Sequence, residues 1–97
     1  MNETPLKSFH LHLVSDSTGE TVEMVARASL VQFDSIEANE HLWSMVRTEN
    51  QVQEVITGIG ENPGFVLYTI VNEDLRNRLE DGCRKLQVPC IAVLDPV

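Results

Sequence analysis

The sequence predicts an α/β fold, a three-layer sandwich built around a four-stranded parallel sheet. Three observations lead to this prediction. A length of 97 residues suits a single domain. Segments with strand-like and helix-like hydrophobic patterns alternate along the chain, the order typical of a parallel sheet covered by helices. Finally, the segment Phe65–Val71 is nearly continuous in apolar and β-branched residues, as expected for a strand buried on both faces.

The first strand and helix are predicted within residues 8–33. Residues 8–14 (SFHLHLV) alternate in polarity and are rich in apolar types, which favours a strand. From Thr21 to Phe33, apolar residues recur every three or four positions and form the buried stripe of an amphipathic helix. The turn-forming sequence SDSTG separates the two segments.

The second strand and helix follow the same pattern. His41–Val46 (HLWSMV) is predicted as a strand, and Thr48 with Gln51 matches the capping box that begins a helix. The apolar stripe of this second helix comprises Val52, Val55, Ile56 and Ile59. Glycine, asparagine and proline residues between positions 58 and 64 indicate where the helix ends.

The third unit begins with Phe65–Val71, which we predict as a central strand. Asn72 can cap a third helix that has acidic residues in its first turn and basic residues in its last, an arrangement that suits the helix dipole. Val88–Leu94 is predicted as the fourth strand. This order favours a Rossmann-like or flavodoxin-like sheet with helices on both faces. Because the chain stops directly after a strand, we expect residues 1–97 to be one N-terminal domain cut from a longer protein.

The composition excludes several classes of partner. Seven Lys and Arg against fifteen Asp and Glu give a net charge of −8, which repels nucleic acids and anionic membranes. The N-terminus lacks the pattern of a secretory signal, and no apolar run approaches the ~20 residues of a membrane span. We therefore expect a cytoplasmic protein in which Cys83 and Cys90 are reduced, packed thiols.

The loop after the first strand is the candidate binding site. In parallel sheets, ligands bind beyond the carboxyl ends of the strands, and the N–H groups at a helix N-terminus favour phosphate or another anion. The predicted phosphate- or ligand-binding residues are Ser15, Asp16, Ser17, Thr18, Gly19 and Thr21. A purely structural alternative is that Ser17 and Glu20 form a capping box. The loop contains no Lys or Arg, so a bound phosphate would need cations from elsewhere or a bridging metal.

Other motifs of catalysis and metal binding are weak or missing. His10 and His12 lie on the same face of a strand, but with no third ligand nearby they are interpreted as strand histidines, and no metal site is predicted. The sequence contains neither a G-x-x-x-x-G-K-[ST] phosphate-binding loop nor a G-x-S-x-G nucleophile elbow. We therefore predict no catalytic residue and no cofactor within these 97 residues.

The segment FHLHLVSDSTGETVEMVARASLVQF resembles the opening of a family of regulatory proteins that control phosphoenolpyruvate synthetase and pyruvate, phosphate dikinase. The later segments HLWSMVRT, GFVLYTIVN and VPCIAVLDP resemble the same family in order and spacing. The likeness therefore covers essentially the whole chain.

This resemblance implies a bifunctional serine/threonine kinase and phosphorylase. An ADP-dependent activity would phosphorylate a threonine of the target enzyme, and a phosphate-dependent activity would remove that phosphate. In the family, the nucleotide-binding loop follows this segment, so ADP, phosphate and the catalytic residues are expected beyond Val97. The implied partner is phosphoenolpyruvate synthetase or pyruvate, phosphate dikinase, and we expect a homodimer.

Two other functions fit part of the sequence. Thr18-Gly19-Glu20-Thr21 matches the T-G-x-T of a flavin phosphate loop, which suggests a flavodoxin-like module. Only five aromatic residues are present, and most lie inside predicted strands or helices, so few are free to grip a flavin ring. The third possibility is a non-catalytic dimerisation domain.

Overall fold

The computed structural model describes residues 7–30 and 36–93. Strands and helices alternate strictly through this part of the chain, as the sequence predicted. The elements are β1 (Lys7–Ser15), α1 (Glu20–Leu30), β2 (Ile36–Trp43), α2 (Glu49–Glu61), β3 (Gly64–Thr69), α3 (Glu73–Leu86) and β4 (Cys90–Ala92).

The four strands form one sheet in the order β2-β1-β3-β4, and every neighbouring pair is parallel. Successive residues of a strand face opposite sides, so Leu13 of β1 packs with α1 whereas Val14 packs with α2 and α3. The sheet is therefore the middle layer of a three-layer α/β sandwich, which confirms the predicted fold class. The segment predicted as a central strand forms β3, an internal strand of the sheet.

Two hydrophobic clusters hold the layers together. The larger one lies between the sheet and helices α2 and α3, and the smaller one lies between the sheet and α1. The larger cluster includes Val14, Val52, Val55, Ile59, Val66, Tyr68, Leu79 and Cys83. The smaller cluster comprises Leu11, Leu13, Val22 and Ala26, with Leu67 and Val93 packed against it. Most of the buried apolar surface therefore lies on the α2–α3 side.

The strand bounds differ from the prediction mainly at the edges of the sheet. The predicted second strand, His41–Val46, is wrong by several residues, since β2 spans Ile36–Trp43. Within the described residues, β2 lies at the edge of the sheet and pairs with β1 alone, and its first half is largely solvent-exposed. Polar residues are therefore tolerated there, and the apolar signal is lost. β4 is shorter than the predicted Val88–Leu94, whose last residue lies outside the described part of the chain. The same holds for Phe33, the predicted end of α1.

The two histidines of β1 belong to a stack of aromatic side chains. The ring of His12 is fully buried, accepts a hydrogen bond at Nδ1 from the Trp43 indole N–H (3.0 Å), and donates from Nε2 to the Asn62 carbonyl (2.8 Å). His41 stacks on His12 at 4.6 Å and shares a 2.9 Å hydrogen bond with His10. These contacts fix His12 as a neutral ring protonated at Nε2, because both nitrogens already have partners.

Burial lowers the pKa of His12 below its usual 6.5, and the nearby His41 and His10 add to this effect against the opposing Asn62 carbonyl. The unfolded chain therefore binds a proton more readily than the folded one. The neutral His12 ring therefore contributes fully to stability above pH 6.5, and this contribution is lost as the pH falls through the pKa of His12 in the folded state. Urea unfolding should show stability falling from about pH 7 to about pH 5, with a slope of at most ~1.4 kcal/mol per pH unit from this residue.

The variant His12→Gln should lose this part of the pH dependence. The matched control, His10→Gln, should retain most of it, because burial of His12 is the main cause of the lowered pKa and His10 contributes least. The expectation fails if the unmodified chain and His12→Gln show the same slope.

Helix α2 begins with the predicted capping box. The Thr48 hydroxyl accepts from the Gln51 N–H (3.1 Å), and the Gln51 side chain accepts from the Thr48 N–H (3.0 Å). Each bond satisfies an amide that has no acceptor within the helix.

We expect Thr48→Ala to lower the free energy of unfolding by about 1 kcal/mol, because it removes the cap. Thr57→Ala makes the same change at an exposed position of the same helix and should be neutral or slightly stabilising. Equal urea midpoints for the two variants would contradict a stabilising role for the cap.

Candidate functional site

The predicted binding loop lies at the carboxyl edge of the sheet, between two neighbouring loops. Ser15 ends β1 and pairs with Thr69 at the end of β3. From these two adjacent strands the chain continues to α1 on one face of the sheet and to α3 on the other. Such a point, where neighbouring connections diverge, is where parallel α/β sheets bind ligands.

A cavity of about 420 Å³ opens at this divergence point. Its wall combines residues from the loop after β1, the first turn of α1, the end of β3 and the segment after it, helix α3 and the end of β4. They include Asp16, Ser17, Thr21, Tyr68, Thr69, Val71, Arg76 and Val93. The structure thus brings three of the six predicted site residues, Asp16, Ser17 and Thr21, to one cavity.

Ser15 has a structural role. Its side chain is buried, and its hydroxyl accepts from the Ser17 N–H (3.0 Å) and lies 3.3 Å from the Ser17 hydroxyl. Its carbonyl accepts from the Val46 N–H, which joins the loop to the segment after β2 (2.9 Å). The Ser15 hydroxyl is therefore occupied in shaping the turn.

Asp16 ties the loop to both neighbouring loops. Its carboxylate accepts from the Val71 N–H (2.9 Å), and its own N–H donates to the Thr69 carbonyl (3.2 Å). Its carbonyl accepts from Nε of Arg47, which follows β2 (2.8 Å). Asp16 thus lines the cavity while fixing the positions of the loops that surround it.

Gly19 sets the start of α1. Its carbonyl accepts the first bond of the helix, from the Glu23 N–H (2.9 Å), and its φ of 92° lies in the left-handed region that favours glycine. A Cβ here would also lie 2.8 Å from a methyl group of Leu42. Because the helix begins at Glu20, Ser17 lies two residues too early to cap it, and the alternative capping box is wrong.

The residues left accessible at the rim are Ser17, Thr18 and Thr21, all exposed to solvent. They stand beside the first-turn N–H groups of α1, which have no acceptor within the helix. Thr18 follows Ser17, which lines the cavity, but Thr18 itself does not line it.

Two arginines bring positive charge to the loop from other parts of the chain. Arg76 of α3 lines the main cavity, and Arg47 lines a neighbouring depression of about 370 Å³ together with Asp16 and Ser17. Neither arginine was predicted as a site residue from the sequence, because neither lies in the loop. Their positions in the sequence could have indicated this proximity, because each arginine follows a strand whose carboxyl end lies beside the carboxyl end of β1.

Tyr68 at the cavity wall is a buried phenol whose hydroxyl donates to the Glu80 carboxylate. Burial and this carboxylate raise the pKa of Tyr68, so the ring stays neutral. A larger depression of about 530 Å³ lies between α2 and α3, and no strand or loop residue forms its wall. Several of its charged side chains already pair with one another, for example Arg78 with Glu49 at 3.2 Å. We therefore place the candidate site at the carboxyl edge.

Within residues 7–30 and 36–93, no three His, Cys, Asp or Glu side chains gather into a group that could hold a metal ion. Across the same described ranges, no helix has the length and apolar character needed to cross a bilayer. The two cysteines are free thiols, with Cys83 buried in the larger hydrophobic cluster.

A three-layer sandwich around a parallel sheet, with a cavity at the divergence point of its connections, is a Rossmann-like α/β architecture. Within that class, the chain belongs to the kinase/pyrophosphorylase family, whose model matches residues 11–97. The family resemblance seen in the sequence is thereby confirmed.

Curated relatives agree with this assignment. A protein of Paramagnetospirillum magneticum is 55% identical over 94 residues, which cover 97% of this chain and 30% of the relative. A Rhodospirillum rubrum protein is 48% identical over 92 residues, which cover 95% of this chain and 34% of that relative. A Caulobacter vibrioides protein is 52% identical over 89 residues, which cover 92% of this chain and 28% of that relative. All three carry the name pyruvate, phosphate dikinase regulatory protein. The chain spans about a third of the length of these relatives.

The contacts of Asp16 lead to a direct test. Asp16→Ala removes the acceptor of the Val71 N–H and should destabilise the fold by about 1 kcal/mol, while the Val71 amide exchanges faster with solvent. Asp16→Asn keeps an oxygen acceptor of the same size and should lie close to the unmodified chain. Unchanged exchange at Val71 in Asp16→Ala would show that this bond does not hold the loop.

Proposed function

We propose that the chain is the N-terminal α/β domain of a cytoplasmic regulatory phosphotransferase that acts on pyruvate, phosphate dikinase or phosphoenolpyruvate synthetase. In this proposal the whole protein inactivates its target with an ADP-dependent serine/threonine kinase activity and reactivates it with a phosphate-dependent phosphorylase activity. The family assignment and the names of the relatives support the regulatory role. Because these 97 residues contain no phosphate-binding P-loop, nucleotide chemistry is assigned to the rest of the polypeptide.

The domain itself is proposed to bind phosphate or a phosphorylated group at the carboxyl edge of the sheet. The observation that carries this proposal is that Arg76 and the hydroxyl-bearing residues Ser17 and Thr21 line one cavity at the divergence point. The first-turn N–H groups of α1 and the positive end of its dipole favour an anion at the same place.

Charge decides whether such binding is feasible. A net charge of −8 repels anions, and Asp16 adds a carboxylate to the cavity wall. That carboxylate is engaged by the Val71 N–H, and Arg47 lies against the Asp16 backbone. Arg76 is then the cation best placed to bind the phosphate, and affinity should fall as salt concentration rises.

A flavin site is not favoured by the positions of the aromatic rings. Trp43 donates to His12, Tyr68 donates to Glu80, and Phe9 packs edge-to-face on Phe65. Each of these rings, all within the described residues, therefore already contacts another side chain.

A homodimer remains part of the proposal for the whole protein.

An NMR titration of the labelled chain with inorganic phosphate, pyrophosphate and ADP tests the site. We expect saturable shifts at Ser17, Gly19 and Thr21, and a roughly tenfold weaker affinity in Arg76→Ala, equivalent to ~1.4 kcal/mol. Arg84→Ala removes the same charge from the exposed end of α3 and should change affinity less than twofold.

Absence of shifts at millimolar ligand would exclude binding by this domain alone. Equal loss in Arg76→Ala and Arg84→Ala would instead indicate a general charge effect and remove Arg76 from the site.

A further inference from the structure

The two faces of the sheet are covered unequally. On the α2–α3 side, Val66 and Tyr68 of β3 are fully buried. On the α1 side, Phe65 of the same strand is 44% exposed, and Ile91 of β4 is 52% exposed. The register places Ile91 beside Leu67, so these apolar side chains share one face.

Simple dimensions explain the difference. Four strands about 4.8 Å apart form a sheet roughly 14 Å wide, whereas one helix with its side chains is about 10 Å across. The α2–α3 face has two helices, which suffice for four strands. The α1 face has one helix in the described residues, and α1 packs over β1 and β3. The described residues therefore provide no helix over β4 on this side.

The flank of α1 that faces β4 is also apolar. Because Thr21 of α1 and Val93 after β4 line the same cavity, this flank of the helix faces the end of β4. Val25 is one turn further along the same flank and is 37% exposed. Helix spacing and strand register therefore place Val25, Phe65 and Ile91 around one exposed apolar surface between the helix and the sheet, here named the α1–β4 groove. Phe9 supports its floor through the edge-to-face contact with Phe65, at 5.4 Å between ring centroids.

Exposure of this kind is unusual for a parallel sheet, which is normally buried on both faces by helices. Single exposed apolar side chains need no explanation, whereas adjacent ones that line a groove mark a contact surface. A groove bounded on one side by a helix and floored by a sheet has the shape that another helix fills.

We propose that an amphipathic helix from the remaining part of the full-length polypeptide packs in the α1–β4 groove. The relatives favour this occupant, because the matched region makes up only 28–34% of their length and the rest of their chain belongs to the same molecule. A second copy of this domain fits the groove less well. A stable dimer buries about 800 Å² per partner, more than three half-exposed side chains provide.

Hydrogen exchange followed by mass spectrometry tests the proposal on two polypeptides, the 97-residue chain and the full-length Paramagnetospirillum magneticum relative. We expect amides of β4 and the start of β3 to exchange at least ~10-fold more slowly in the full-length protein. Amides of α2 are the internal control, since their face of the sheet is already covered and they should change less than about twofold. Equal slowing of both regions would reflect general stabilisation and overturn the proposal.

A second measurement excludes the competing occupant. Sedimentation of the 97-residue chain should show a monomer over the micromolar range. A dimer that Ile91→Ser abolishes, but that Met24→Ser at an exposed site on α1 preserves, would assign the groove to a second copy and overturn the proposal. Neither measurement depends on phosphate binding, so its outcome is separate from that of the proposed ligand site.

Discussion

The carboxyl edge of this sheet depends on the hydrogen bonds that the loop after β1 makes to the loops on either side. Ser15 and Ser17 accept from the N–H groups of Val46 and Met45 after β2, and Asp16 bonds in both directions to the segment after β3. Three separate stretches of chain are thereby held as one surface. Met45 has a φ of 57°, a conformation that costs energy for a residue other than glycine, so these bonds also stabilise a locally unfavourable backbone.

This arrangement divides the predicted site residues into two groups. Ser15, Asp16 and Gly19 set the shape of the loop. Ser15 and Asp16 accept hydrogen bonds from neighbouring backbone N–H groups, and Gly19 adopts a positive φ next to Leu42. Ser17 and Thr21 stay accessible at the cavity. A loop whose shape is set before a ligand arrives loses little conformational entropy on binding, which favours recognition of a small anion.

Sequence patterns predicted well those elements whose stability comes from local or well-buried interactions. The capping box of Thr48 was recognisable because both partners lie within four residues. β3 was recognisable because an internal strand with helices on both sides of the sheet is rich in apolar residues, although Phe65 on the α1 side is 44% exposed. β2 was misplaced because an edge strand can expose polar side chains such as Glu37 and Glu40 without penalty. Arg76 was missed for a different reason: it reaches the site only through the topology that sets α3 beside the loop after β1, a long-range property that no local pattern encodes.

The uneven cover of the sheet also affects the cavity, because the flank of α1 that lines the cavity continues into the α1–β4 groove. Thr21 and Val93 line the cavity, and the flank of α1 that carries Thr21 continues, one turn later, into the α1–β4 groove at Val25. A helix packed in that groove would form one wall of the cavity as well as burying Phe65 and Ile91. It would exclude water from the side where β4 ends, and the attraction between Arg76 and a phosphate would strengthen as the local dielectric falls. If the proposed helix packs there, the isolated domain should bind anions more weakly than the full-length polypeptide, because the domain alone would lack that part of the cavity wall.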